Sequence, residues 1–349
     1  MSVKQEILAQ IQRNGYVTIE HFMQLALNSS VHSYYRFNQK IGQDFITSGE
    51  ISQLFGEMLA LWVIMRWQQL GMGAIVLVEL GPGNGNLMFD VLRTIAKLAP
   101  ELFANINKVV LLEINPNYMQ LQSLRLESFN LKIQHIAKLE ELDGHKAIFI
   151  ANEFFDAMPI EQYIRKDNSW RELVVRSKNQ DLYFDDISSS AKFLPYTNVE
   201  QGSILETSPA TIAVMDDLCN FIACFGGAAV IIDYGYYINP AERQPGQYIS
   251  TLQAMSRHNF LSPLQSPGES DLTAHVDFWS LAQVAQKYIA NFAISSQEQF
   301  LHRFGINHRA KNLALASPYL ADVILEQYKY LVNNMGQLFL VLEIIAAAR

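Results

Sequence analysis

Cysteine is nearly absent from this chain. Cys219 and Cys224 are the only two among 349 residues, and they lie in one apolar segment. Without a C-x-x-C pattern or a Cys/His cluster they exclude a disulfide framework and a thiolate metal site, and buried free thiols are the expected state. The eight histidines are scattered, with no H-E-x-x-H or paired spacing, so no metal is expected. Basic residues are in deficit as well: 26 Lys+Arg stand against 34 Asp+Glu, a net charge of −8 with no strongly basic segment. That balance argues against sequence-independent nucleic-acid binding and leaves room for a cationic substrate. Long apolar runs are missing too. Residues 338–348 come nearest, but they are too short to span a bilayer and contain Glu343. Residues 1–13 mix charges and lack both an apolar signal core and an Arg-rich, acid-free transit character, which makes the cytoplasm the expected location.

Half of the residues are hydrophobic, enough for a sizeable core in one elaborated domain or two. The most informative stretch is 75–87. Ile75, Val76, Leu77 and Val78 run into Glu79, then Gly81, Gly83 and Gly85 alternate, then Leu87, Val91, Leu92 and Ile95 follow at helical spacing. This is a buried strand, a tight turn and a helix. Glycine suits such a turn because the backbone must adopt unusual φ values and let a ligand approach the helix N-terminus. The E-x-G-x-G-x-G spacing differs from the dinucleotide fingerprint, and no G-K-[ST] ending or neighbouring basic side chain offers a triphosphate a partner. S-adenosyl-L-methionine (SAM), a sulfonium cation without phosphate, suits this turn better than NAD. The plainer reading is a glycine-rich connection with no ligand.

Strands then alternate with helices. Residues 109–113, 131–136, 147–151 and 228–232 read as buried strands, which predicts a parallel, doubly wound α/β sheet with right-handed crossovers. Segments 4–12 and 19–27 read as short helices, and 48–62 as a helix capped by Ser48 with one continuous apolar face. Short strands near 163–164, 173–175 and 182–184, separated by polar turns, predict an antiparallel insertion. Residues 239–274 are polar and proline-bearing with little period, as expected of a lid or substrate loop. Helices are expected at 276–288, 297–304 and 319–332, and a last strand at 338–345. The expected organisation is a helical cap segment over 1–70, the first part of a Rossmann-like cofactor domain over 71–160, the insertion over 161–205, and the rest of the sheet over 206–349 with a substrate loop at 239–275.

In a parallel sheet, ligands bind beyond the carboxyl ends of the strands. Glu79 with its glycines, Glu113, residues 152–156 and residues 233–235 fall there. Glu113 can accept both hydrogen bonds of a ribose diol, or it is a surface acid flanking a helix. Glu153 and Asp156 follow the fourth strand about one helical turn apart. Two such carboxylates can fix the plane of a guanidinium and take its proton as the nitrogen is methylated; alternatively Asn152 and Asp156 serve only to bond the turn. Phe154 and Phe155 suit core, cofactor wall or aromatic clamp.

Several blocks together resemble one family, the MidA-like SAM-dependent methyltransferases, which includes a mitochondrial complex I assembly factor that methylates an arginine. They are residues 41–57, 79–85, 151–159, 206–209, 233–235, 267–278 and 335–339, nearly end to end and in the family's order. N-E-F-F-D-A-M-P (152–159) and D-L-T-A-H-V-D-F (271–278) are the most distinctive. The chain departs from the family at Ser33, Gly49, Asn84, Asn86 and Ala137, where glycine, proline, arginine, threonine and an adenine-binding aspartate are usual.

The resemblance implies a Rossmann-like SAM-dependent methyltransferase fold and methylation of arginine on a protein, with a respiratory complex I subunit as the partner in view and a homodimer as the assembly. It implies that SAM is held by Glu79, Gly81, Gly83, Gly85, Glu113 and Asn152, with Thr47 and Ser48 from the N-terminal block folding over it. Glu153 and Asp156 are the implied catalytic pair; Phe155, Asp233, Tyr234 and His275 stand on the substrate side. Two other readings stay open: a non-catalytic assembly factor that keeps the fold, and a small-molecule methyltransferase.

Overall fold

A sheet buried on both faces requires near-continuous aliphatic strands, and the runs in this sequence supply them. The computed structural model describes residues 2–29, 33–37, 48–167, 169–189, 199–256 and 259–346. The central strands are β1 (Ile75–Leu80), β2 (Ile106–Leu112), β3 (Ile133–Ile136), β4 (Ala147–Asn152), β5 (Gly227–Tyr236), β6 (Phe292–Ser296) and β7 (Phe339–Ile345). Across the sheet they lie in the order 3-2-1-4-5-7-6. β1 to β5 pair in parallel, and β7 runs antiparallel to both β5 and β6. Strand order reverses between β1 and β4, the switch point at which ligands bind in such sheets.

This sheet belongs to a compact unit made of Ile46–Phe155, Val214–Tyr236 and Val276–Arg349. Its core packs Phe55, Met58 and Trp62 of helix α1 (Gln53–Gln69) with Leu87, Val91 and Ile95 of α2 (Asn86–Leu98) and the inward residues of β1, β2 and β5. Helix α3 (Pro116–Leu126) follows β2, with Asn115 accepting the Asn117 N–H as its cap and proline at its first position.

The helix expected over 48–62 is broken. Ser48–Ile51 forms one helical turn, Ser52 then adopts extended backbone, and its hydroxyl caps α1 at the Leu54 N–H. Ser52 takes the capping role that the sequence reading gave Ser48, because a serine hydroxyl competes for backbone N–H groups and favours helix starts. β5 is longer than expected and contains Asp233, Tyr234 and Gly235, with Gly235 and Tyr236 pairing in parallel to Val276 and Asp277. The helix expected over 276–288 therefore starts two residues later, as α4 (Phe278–Tyr288), capped by Asp277 at the Trp279 and Ser280 N–H groups. Among the described residues, three helices the pattern did not reveal are Tyr34–Phe37, Pro100–Ala104 and α5 (Ile306–Ala316).

The second unit comprises Met1–Phe45, Asp156–Ala213 and Tyr237–His275. Helices Val3–Asn14 and Ile19–Asn28 pack Ile7, Ile11, Phe22 and Leu27 with Val175 and Leu272. An antiparallel sheet joins Val17–Thr18, Ser169–Lys178, Glu161–Lys166 and Ile204–Thr207, with Asp181–Ser188 pairing to Ser169–Lys178. Residues 239–275, expected as an unstructured loop, contain a three-stranded sheet of Gln253–Ser256, Asn259–Leu261 and Asp271–Thr273, and they bury Leu252, Ala254 and Leu272. Strands this short complete too few alternations to register as a period-two pattern.

Candidate active site

Three glycines shape the turn between β1 and α2: Gly81, Gly83 and Gly85 have φ of 66°, 51° and 80°, all in the left-handed region that L side chains avoid. A Cβ on Gly81 would lie 2.9 Å from Phe154 Cδ2, whereas one on Gly83 would meet nothing within 4 Å. Asn84 sets the turn from within. Its Oδ1 accepts the Asn86 N–H at 3.0 Å, and its amide donates to the Glu50 carboxylate.

Glu79 is almost fully buried near the end of β1, and its Oε2 has no hydrogen-bond partner among the described residues. Burial alone pushes its pKa up to about 8. Asn152, at the end of β4, likewise leaves its Oδ1 buried and unpartnered while its amide donates to Glu153 Oε1 at 3.1 Å. The switch point thus offers buried acceptor oxygens and bare glycine backbone, while the basic side chain of Arg125 packs by the turn, its Cδ 3.7 Å from where a Cβ on Gly85 would lie. That donor set fits a ligand bearing an ammonium or sulfonium charge, and it fits SAM.

Glu113 follows β2. Its Oε1 accepts the Ile114 and Asn115 N–H groups, both at 2.8 Å, and its Oε2 accepts the Gln122 amide at 3.1 Å. Burial raises its pKa, opposed by these hydrogen bonds. Beyond β4, Glu153 stands at φ 50°, an uncommon conformation for a residue with a side chain, and such strain concentrates at functional positions. Its Oε1 accepts the Ser48 N–H at 2.8 Å, and its own N–H donates to the Ile232 carbonyl on β5. Ser48 is fully buried and its hydroxyl lies against Met335 Sδ.

Phe155 is buried and stacks edge-on with Phe154 at 5.3 Å. Asp233, fully buried in β5, accepts the Phe155 N–H at 3.0 Å and the Tyr234 N–H at 2.9 Å, so it pins the turn after β4. The Tyr234 ring packs on Phe339 at 5.6 Å. Glu79, Gly81, Gly83, Gly85, Glu113, Asn152, Glu153, Phe155, Asp233, Tyr234 and Ser48 therefore all belong to the sheet unit. Thr47 lies outside the described residues.

The second unit holds the other two predicted residues. Asp156 is buried, and its carbonyl accepts the Ala274 N–H at 2.9 Å. The Tyr35 hydroxyl donates to Asp271 Oδ1 at 2.7 Å, and burial followed by the charges of Asp271 and Asp156 holds that phenol well above its usual range. His275 is exposed; its N–H donates to Thr251 Oγ1, whose hydroxyl donates to the buried Glu206. Residues to which the sequence assigned no site role are Gln122, Glu50, Met335 and Tyr35. None carries a local signal of a site role, because each has a partner at least 34 residues away in sequence, as Glu50 has in Asn84. Gln122 reaches back 39 residues to Gly83.

Among the described residues no group of His, Cys, Asp or Glu is arranged to hold a metal ion, and no helix is long and apolar enough to cross a membrane. A family model described as S-adenosyl-L-methionine-dependent methyltransferase matches residues 58–295. Curated relatives named "protein arginine methyltransferase NDUFAF7, mitochondrial" are similar along the chain. The Danio rerio protein is 30% identical over 378 residues, covering 100% of this chain and 88% of its own. The human protein is 29% identical over 366 residues, covering 95% and 81%. A Burkholderia thailandensis protein solved with S-adenosyl-homocysteine bound has the same fold, with a TM-score of 0.86 at 23% identity over 99% of this chain and 92% of that one.

Proposed function

The chain belongs to the S-adenosyl-L-methionine-dependent methyltransferase family matched over residues 58–295, and from that premise we propose that it methylates arginine on a protein substrate. The observation that carries the acceptor is Glu153, a carboxylate held in a strained conformation directly after β4, beside the switch point. The names of the curated relatives support it. Bound SAM supplies an electrophilic methyl carbon on a sulfonium.

The rest falls to side chains of this chain. Glu79, Gly81, Gly83, Gly85, Glu113, Asn152 and Ser48 hold the cofactor in this reading, and Phe154 over Gly81 walls it from water. Glu153 accepts guanidinium N–H groups, fixes the plane of the nucleophile, and takes the proton released as the new N–C bond forms and the S–C bond breaks. The Ser48 N–H and the Asn152 amide, both on Oε1, hold this carboxylate in place. Asp233 keeps Phe155 and the turn in place, Tyr234 and His275 stand on the substrate side in this reading, and Asp156 is the second carboxylate of the proposed catalytic pair. A subunit of respiratory complex I is the substrate we favour. The location proposed from the sequence is the cytoplasm, whereas the relatives' names are mitochondrial; fractionation decides it.

The test is Glu153→Gln, which keeps an acceptor for the Ser48 N–H. Calorimetry should give S-adenosyl-homocysteine (SAH) affinity within about threefold of wild type, while turnover on an arginine substrate falls roughly 100-fold, within the range general base catalysis supplies. Full turnover in that variant removes Glu153 from the chemistry.

A further inference from the structure

Gln122 is a glutamine with no exposed surface on α3, a helix that otherwise turns much of its surface to solvent. Its side chain makes three hydrogen bonds, to three separate elements. Nε2 donates to the Gly83 carbonyl at 2.6 Å and to Glu113 Oε2 at 3.1 Å, and Oε1 meets His135 Nε2 on β3 at 2.9 Å. The orientation of the amide follows from its partners: a carbonyl and a carboxylate can only accept, so both must face the NH2 group. His135 then donates through Nε2–H. A second observation concerns the backbone: a Cβ on Gly85 would come within 3.3 Å of Gln122 Cγ and 3.5 Å of its Cα. The third glycine of the turn is thus packed directly on this glutamine.

We propose that Gln122 is a positioning residue for the cofactor, a strut that fixes the distance between the glycine turn and Glu113 and thereby sets how strictly the site demands the ribose hydroxyls. The inference rests on the reading above that Glu113 accepts those hydroxyls. The physical reason is geometric. Glu113 Oε1 is committed to two backbone N–H groups of its own loop, so the direction in which the carboxylate presents its remaining lone pairs depends on what holds Oε2. That holder is Gln122, and the same nitrogen holds Gly83. Turn and acid move together or not at all. His135, kept toward its neutral form by burial, locks the far side of the amide.

The experiment is calorimetry on the full chain with SAH and with its 2′-deoxyribose counterpart. Wild type should prefer SAH by tenfold or more, the scale of a hydrogen bond to a charged group. Gln122→Met keeps side-chain length and deletes all three bonds. It should weaken SAH at least tenfold, weaken the deoxy ligand about threefold or less, and so collapse the preference. Glu113→Ala should collapse the same preference, and the double variant should lose little more than either single. Should Gln122→Met fail to fold, His135→Leu, which removes only the bond to the amide oxygen, carries the same comparison on a smaller scale. Equal weakening of both ligands by the Gln122 variant overturns the strut and leaves only a packing role. If Glu113→Ala itself leaves the preference intact, the ribose reading fails, and the inference with it. If Glu113→Ala collapses the preference and Gln122→Met does not, the inference alone fails.

Discussion

Glu79 is buried near a strand end, with one oxygen lacking a partner among the described residues and its pKa pushed up to about 8 by burial from the ordinary 4.5. Between pH 4.5 and 8 the unfolded chain has given up this proton and the folded one has kept it. Stability of the ligand-free protein therefore falls as pH rises through that window, and the contribution present below the unfolded pKa is lost above the folded one. Glu79→Gln should flatten the dependence of melting temperature on pH and raise the ligand-free melting temperature at pH 8 by about 5 °C. An unchanged slope in differential scanning calorimetry would mean that Glu79 titrates normally. Gly81 makes a separate prediction. With φ of 66° and Phe154 2.9 Å from any added Cβ, Gly81→Val should lower SAH affinity at least tenfold in calorimetry, through backbone strain and displacement of the ring.

Among the elements, β7 carries an acid in the interior. Glu343 accepts the Trp62 indole N–H at 2.7 Å and the Arg66 guanidinium at 2.8 Å, both from α1, and also pairs with Arg303. Glu343→Gln leaves Arg66 buried without its counter-charge, a loss of about 3–5 kcal/mol in urea denaturation of the ligand-free protein. That β7 is a buried strand was legible from its aliphatic run; that its one acid is an ion-pair anchor was not, since Arg66 lies 277 residues away. The same division holds for the glycine turn. Glu79, the glycines and Glu113 were readable because strand ends and φ requirements are local. Gln122, Phe154 over Gly81 and the bond from Ser48 to Glu153 needed the tertiary arrangement. The break at Ser52 was misread because its apolar neighbours, Ile51 and Leu54, keep the helical period across it. The short strands of 253–273 were invisible for want of length.

At the scale of the whole chain, the residues assigned to the cofactor all lie in the sheet unit. Hydrogen exchange should therefore report SAH as slower exchange of amides at residues 80–87 and 113–122, with the hairpin of Ser169–Lys178 and Asp181–Ser188 unchanged. Protection of the hairpin alone would put the cofactor elsewhere. Arginine as the proposed acceptor is tested directly in a deletion strain. The decisive measurement is quantitative mass spectrometry of methylated arginines in deletion cells complemented with wild type or with Glu153→Gln. The account predicts one or a few protein arginines that lose their methyl groups on deletion, regain them with wild type, and stay unmethylated with Glu153→Gln. Arginine methylation that is identical in all three strains would contradict it.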